Sequence, residues 1–131
     1  MFKHIVLQKI KPFTLAIGWG IFVFGASLTP GNEVPKIFEL TNDKLIHAAI
    51  YFLQAALIIV GFTRFKKSNT PTKTILLYAL GICLFMGGII EIIQEILIPK
   101  RTGDWLDFIA NNTGSVMCAL IFVIQRKAKA Y

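Results

Sequence analysis

Long apolar stretches separated by short polar segments run along most of the chain. They cover residues 12–29, 44–62, 74–98 and 105–124. An α-helix needs about 20 consecutive apolar residues to cross the roughly 30 Å of hydrocarbon in a bilayer. Pro12 suits the first turn of a helix, and Pro99 and Gly103 suit the turn between the last two stretches. The pattern therefore predicts an all-α integral membrane bundle of four transmembrane helices.

Composition supports this prediction. The chain of 131 residues is 55% hydrophobic and only 16% charged, whereas a soluble domain averages about 25% charged residues. This length allows one domain, so residues 1–131 are expected to form a single transmembrane domain. Cys83 and Cys118 lie within apolar stretches without a CxxC pattern, so both are expected to be small buried hydrophobes.

The basic residues predict the orientation of the bundle. Net charge is +7, and ten of the fourteen Lys and Arg residues lie near the two termini or between residues 63 and 73. They flank the apolar stretches and form no single patch, so no nucleic acid partner is expected. The positive-inside rule places these segments, and therefore both termini, in the cytoplasm. As an alternative, the first stretch is a cleaved signal peptide, although it is long and lacks an A-x-A cleavage site.

The acidic residues all fall on the opposite side. Each of the seven belongs to an outer loop or to the outer end of a helix. With a rise of 1.5 Å per residue, His47, Glu91 and Asn111 each lie about 22–27 Å from the basic residue at the cytoplasmic end of their helix. Charged and amide groups at this depth are costly when they face lipid, so they should point inward. The sequence therefore predicts a polar crevice, open outward, between the second, third and fourth helices.

Within each helix these polar residues recur at intervals of three, four or seven, so they share one face. The residues expected to bind a ligand there are Asp43, Lys44, His47, Glu91, Gln94, Glu95, Arg101, Asp104, Asp107 and Asn111. His47, Glu91 and Asp107 are the candidates for acid/base catalysis, because a His near carboxylates can have its pKa tuned for proton transfer. No HExxH or Cys/His pattern supports a divalent cation, so no metal or cofactor is predicted.

Two segments resemble VanZ-like proteins. "NDKLIHAAIYFLQ" resembles the Asp-Lys-x-x-His start of their second helix, and "EIIQEILIPKRTGDWLDFIANNTGS" resembles their Glu-x-x-Gln, Arg and Asp-x-x-x-Asn-x-x-Gly region. The matching positions are Asp43, Lys44, His47, Glu91, Gln94, Arg101, Asp107, Asn111 and Gly114. The resemblance covers residues 12–124, and it departs from the family after Gly114, where members often carry a second glycine.

The resemblance implies a cell-envelope context. VanZ-like proteins are small membrane proteins linked to resistance to glycopeptide antibiotics such as teicoplanin, so the implied location is the bacterial cytoplasmic membrane. The expected function is to bind or modify an amphiphilic envelope molecule, either a lipid-linked precursor or a glycopeptide antibiotic, in contact with membrane lipid. Three alternatives fit the same residues: an acid/base enzyme acting on a lipid head group, a small proton-coupled transporter and a structural partner subunit.

Overall fold

A computed structural model describes residues 11–30, 43–65, 70–98 and 102–129. Within these ranges the regular secondary structure is all helical, as predicted. A 3-10 turn at Lys11–Phe13 leads into the first of the four α-helices that lie in the described ranges. These helices are α1 (Thr14–Ser27), α2 (Asp43–Arg64), α3 (Thr72–Leu97) and α4 (Trp105–Ala128).

Three of these helices are long and apolar enough to cross a membrane. They are α2, α3 and α4, with 22, 26 and 24 residues, and an 18-residue segment of each has a mean hydropathy of 2.1, 2.3 and 1.5, respectively. Their outer faces carry large apolar side chains, such as Leu77 and Phe85, which are 72% and 71% exposed. An apolar surface this extensive suits hydrocarbon and not water, so the chain is a membrane protein.

The first helix is shorter than the predicted stretch of residues 12–29. Its 14 residues, Thr14–Ser27, extend about 21 Å at 1.5 Å per residue. The fourth helix is longer than predicted, since it continues past residue 124 to Ala128. Arg126 and Lys127 lie in its last turn, where positive charge interacts favourably with the helix dipole.

The closest helix packing joins α2 to α4. Both helices start at the same end of the bundle, and their mutual contact is the broadest in the described fold. A Cβ built on Gly114 would lie 2.7 Å from the carbonyl carbon of Ala48 and would overlap its oxygen. Only glycine therefore fits at residue 114, as expected for a small residue that lets two membrane helices approach closely.

A small buried core fills the space between the helices. Ala55 on α2 and Ile75 and Ala79 on α3 are completely buried, and Cys83 and Cys118 are buried as predicted. The first helix packs on this core through polar contacts as well. The Trp19 indole Nε1–H donates to the carbonyl oxygen of Ile50, 3.2 Å away. This hydrogen bond ties α1 to α2.

Candidate functional site

Seven polar side chains meet where α2 and α4 begin and α3 ends. We call this group the polar cluster: Asp43, Lys44, His47, Glu91, Asp104, Asp107 and Asn111. Lys44 is at its centre. The ammonium group of Lys44 donates to Asp104 Oδ2 at 2.6 Å and to Asp107 Oδ1, and it lies 3.7 Å from Asp43 Oδ2. One lysine of α2 therefore links both helices that start at this end.

His47 is held in one orientation by Asn111. The ring Nδ1 lies 3.1 Å from Asn111 Oδ1, an oxygen that only accepts, so Nδ1 carries a hydrogen and donates it. The other ring nitrogen, Nε2, lies 3.6 Å from Asp43 Oδ1 and 3.5 Å from Asp107 Oδ2. The Nε2 atom therefore faces two carboxylate oxygens at nearly equal distances.

Glu91 and Glu95 fix the start of α4. Glu91 Oε2 accepts the backbone N–H of Asp104, and Glu95 Oε2 accepts that of Gly103, each at 2.8 Å. Asp104 in turn caps α4, since its Oδ1 accepts the backbone N–H of Leu106 at 2.8 Å. The last two turns of α3 thus determine where α4 begins, which places Asp107 and Asn111 beside α2.

The polar cluster is rich in negative charge. Among the described residues, the carboxylates of Asp43, Asp104 and Asp107 share one ammonium group, that of Lys44, so the cluster is net negative while His47 is neutral. The hydrogen bond from Lys44 holds the pKa of the Asp104 carboxyl below its usual range. The outer side chains are accessible: Asp43 is 52%, Asp104 41% and Lys44 38% exposed, whereas Asp107 is 13% exposed. A ligand arriving at this end would meet the outer carboxylates and Lys44 first.

Two of the predicted site residues, Gln94 and Glu95, lie outside the polar cluster. Gln94 does not join the cluster, because its Nε2–H donates to the carbonyl oxygen of Ser27 at 2.8 Å and ties α3 to α1. Glu95 is exposed and binds the backbone of Gly103. Arg101 lies outside the described residues. Gln94 and Glu95 therefore have different roles, although the sequence placed both in the same crevice.

A separate apolar groove lies between α1 and α3. Its volume is about 500 Å³, and its lining includes Phe24, Tyr78, Phe85 and Met86. This groove contains none of the polar cluster residues. It is open on its outer side among exposed apolar side chains, where lipid tails can fill it.

Sequence reasoning missed Tyr51. This residue is 2% exposed, and its hydroxyl has no hydrogen-bond partner among the described residues. A Cβ on Gly87 would lie 3.4 Å from the Tyr51 hydroxyl and 3.5 Å from Asn111 Nδ2, so the tyrosine lies directly beneath the cluster. The signal was present in the spacing, since Tyr51 follows His47 by four residues on the same face of α2.

Replacing Tyr51 by phenylalanine should leave stability unchanged or raise the free energy of unfolding by up to about 1 kcal/mol. The substitution removes only a buried hydroxyl that has no partner, and burying such a group costs about 1–3 kcal/mol. Thermal unfolding in detergent measures the change, with Tyr78→Phe on the exposed face of α3 as the control. A clear loss of stability for Tyr51→Phe alone would show that the hydroxyl makes a hydrogen bond.

Comparisons with known proteins found no relative of this chain. The chain matches no family model, no curated protein and no solved structure. Its function is therefore inferred from the residues of the polar cluster, their charges and their exposure.

Proposed function

We propose that this chain is a VanZ-like membrane protein of the bacterial cell envelope that binds an amphiphilic envelope molecule. In this proposal the chain crosses the cytoplasmic membrane four times with both termini inside, and the polar cluster lies at the outer leaflet. The bound molecule is a lipid-linked envelope precursor or a glycopeptide antibiotic. The distribution of Lys and Arg supports this orientation.

The observation that carries the proposal is the accessibility of the polar cluster. Ionised groups at a membrane boundary are costly, and a cluster that only held helices together would gain most from burial away from lipid and water. Instead, Asp43, Lys44 and Asp104 keep between 38% and 52% of their side-chain surface exposed. They are held in place by pairing and still offer charged atoms to a ligand.

The surroundings of the cluster favour an amphiphile. Large apolar side chains flank it on α3 and α4: Ile92, Ile96, Leu106 and Ile109 are 56–71% exposed. A molecule with a polar head and an apolar tail would place its head at the cluster and its tail against these side chains. Because the described carboxylates outnumber the ammonium groups, the head group that fits best carries an amine or brings a cation with it.

The Asp104→Asn variant tests this proposal. A susceptible bacterial host expressing the wild-type chain should tolerate more teicoplanin than the same host without it, and Asp104→Asn should reduce this difference. The removed carboxylate is 41% exposed, and losing about 1.4 kcal/mol of binding energy weakens affinity about tenfold. The measurements are the minimal inhibitory concentration and, for the same cells, the folded yield in detergent.

Gln125→Ala is the matched control, because Gln125 is exposed near the opposite end of the same helix. It should keep both the resistance and the yield. If the wild-type chain does not change teicoplanin susceptibility, the antibiotic is not its ligand. If resistance and folded yield fall in parallel for Asp104→Asn, the cluster has a structural role and the binding proposal is wrong.

A further inference from the structure

Three donor atoms of the polar cluster have the spacing of metal ligands. His47 Nε2 lies 3.6 Å from Asp43 Oδ1 and 3.5 Å from Asp107 Oδ2. One ligating atom from each of these three residues lies within 4.8 Å of the other two. In a tetrahedral zinc site with bonds of 2.0–2.1 Å, neighbouring ligand atoms are about 3.4 Å apart. The observed spacing therefore needs little rearrangement to place one ion between the three side chains.

The tautomer of His47 is also the one that a metal requires. Nδ1 donates its hydrogen to Asn111 Oδ1, which leaves the lone pair of the neutral ring on Nε2. That lone pair is on the side of the two carboxylate oxygens. Histidines that bind metals usually donate their other ring N–H to an acceptor that fixes the ring in this way. Asn111 is 2% exposed, so the acceptor itself is held firmly.

Lys44 does not occupy the same position. Its ammonium group contacts Asp107 Oδ1 and lies near Asp43 Oδ2, while the second oxygen of each carboxylate faces His47. Both carboxylates are thus divided between a lysine side and a histidine side. An ion on the histidine side would leave the Lys44 contacts intact.

Glu91 gives an independent reason to expect a cation. This residue is only 9% exposed, and its Oε1 has no hydrogen-bond partner among the described residues. Its other oxygen, Oε2, accepts the backbone N–H of Asp104, so the carboxyl group borders the polar cluster. A buried carboxylate is normally paired or bound to a metal, and Lys44 pairs with Asp43, Asp104 and Asp107 and not with Glu91.

We propose that Asp43, His47 and Asp107 bind one divalent transition-metal ion, for which Zn²⁺ is the best match. One imidazole nitrogen and two carboxylate oxygens form a donor set that suits zinc. Three protein ligands leave a fourth coordination position, and the exposure of Asp43 opens it to the outside of the bundle. The sequence shows no HExxH motif because these donors come from two separate helices.

Zinc binding to the purified, untagged chain tests the proposal. The protein is freed of metal with EDTA in detergent and titrated with ZnCl₂ by calorimetry. We expect one zinc per chain and a higher thermal unfolding midpoint with zinc than without it. In place of zinc, Co²⁺ should give the visible absorption of a four-coordinate site, which reports on geometry independently of stability.

Two ligand variants and one control decide the assignment. His47→Ala and Asp43→Asn should each weaken zinc affinity by at least about tenfold, since changing even a residue that only hydrogen-bonds to a metal ligand costs about 10–100-fold in affinity. Glu95→Gln removes the same charge at the same end of the bundle but from a side chain bound to Gly103, so it should bind zinc like the wild type.

Two results would overturn the metal site. One is the absence of zinc binding by the wild type, which would mean that Asp43, His47 and Asp107 serve only to hold α2 and α4 together. The other is equal affinity in wild type, His47→Ala and Asp43→Asn, which would place the zinc elsewhere. Asp43 is half exposed and starts its helix, so Asp43→Asn is expected to fold even if His47→Ala does not.

Discussion

Replacing Gly114 with valine should remove most of the folded protein. A Cβ at this position would lie 2.7 Å from the carbonyl carbon of Ala48, and valine adds two methyl groups beyond it. Backbone atoms cannot move aside as a flexible side chain can, so α2 and α4 would have to separate. Overpacking of a core commonly costs about 1–3 kcal/mol, and contact with rigid backbone puts this substitution at the upper end of that range or above it.

The separation would also affect the polar cluster. Gly114 is one turn from Asn111, whose side chain binds His47 across the same helix pair. The measurement is the yield of monodisperse protein in detergent, together with its thermal unfolding midpoint. Gly114→Ala should also lower the yield and the midpoint, but by less than Gly114→Val.

Gly81→Ala is the control for this experiment. Gly81 lies on α3, and a Cβ there would meet no atom within 4 Å. Alanine is more favourable than glycine in a helix by about 1 kcal/mol, so this variant should be as stable as the wild type or slightly more stable. A Gly114→Val protein with normal yield and midpoint would show that α2 and α4 do not pack at this distance.

Replacing Lys44 with methionine should cause the second large loss of stability. The substitution keeps much of the apolar stem but leaves Asp43, Asp104 and Asp107 without the ammonium group that they share. Removing one partner of a buried ion pair costs about 3–5 kcal/mol. Because Lys44 is 38% exposed, solvent screens part of the charge, and we expect a loss of about 2 kcal/mol. Unfolding in detergent, followed by far-UV circular dichroism, gives the free energy.

A double-mutant cycle separates repulsion from lost packing. Adding Asp104→Asn to Lys44→Met removes one of the unpaired carboxylates, so the double variant should lose less stability than the two single losses added together. Lys73→Met on the exposed start of α3 is the control, and it should stay within about 0.5 kcal/mol of the wild type. Strictly additive losses would mean that Lys44 and Asp104 do not interact.

Much of the helical architecture could be predicted from the sequence because hydropathy is a local property. The apolar stretches located α2, α3 and α4 to within a few residues, since each stretch carries its own signal for a membrane helix. The first stretch was less informative. The first stretch predicted a helix over residues 12–29, whereas α1 covers only Thr14–Ser27 and follows a 3-10 turn.

The sequence also predicted which polar groups would meet. His47, Glu91 and Asn111 were expected at one depth on three helices, and all three belong to the polar cluster. This inference rests on two general constraints. The helix rise sets the depth of each residue, and the cost of charge in hydrocarbon requires these groups to turn inward.

The individual contacts depended on how each helix is rotated about its axis, which no local pattern records. Gln94 and Glu91 share a face of α3 in the sequence pattern, yet one contacts α1 and the other the start of α4. Tyr51 was overlooked because aromatic residues are common on apolar helices, so only its spacing of four residues from His47 marked it.

The sequence by itself determined that this protein is a helical membrane protein, and it predicted that the acidic residues of α2, α3 and α4 lie at one end of these helices. The tertiary structure decided how those residues are paired. Close contact of Gly114 with Ala48 sets the spacing of α2 and α4, and that spacing places Lys44 on one oxygen of Asp107 and His47 beside the other. Which side chain pairs with which oxygen depends on distances of a few ångströms between separate helices, and only the packing of the whole bundle sets these distances.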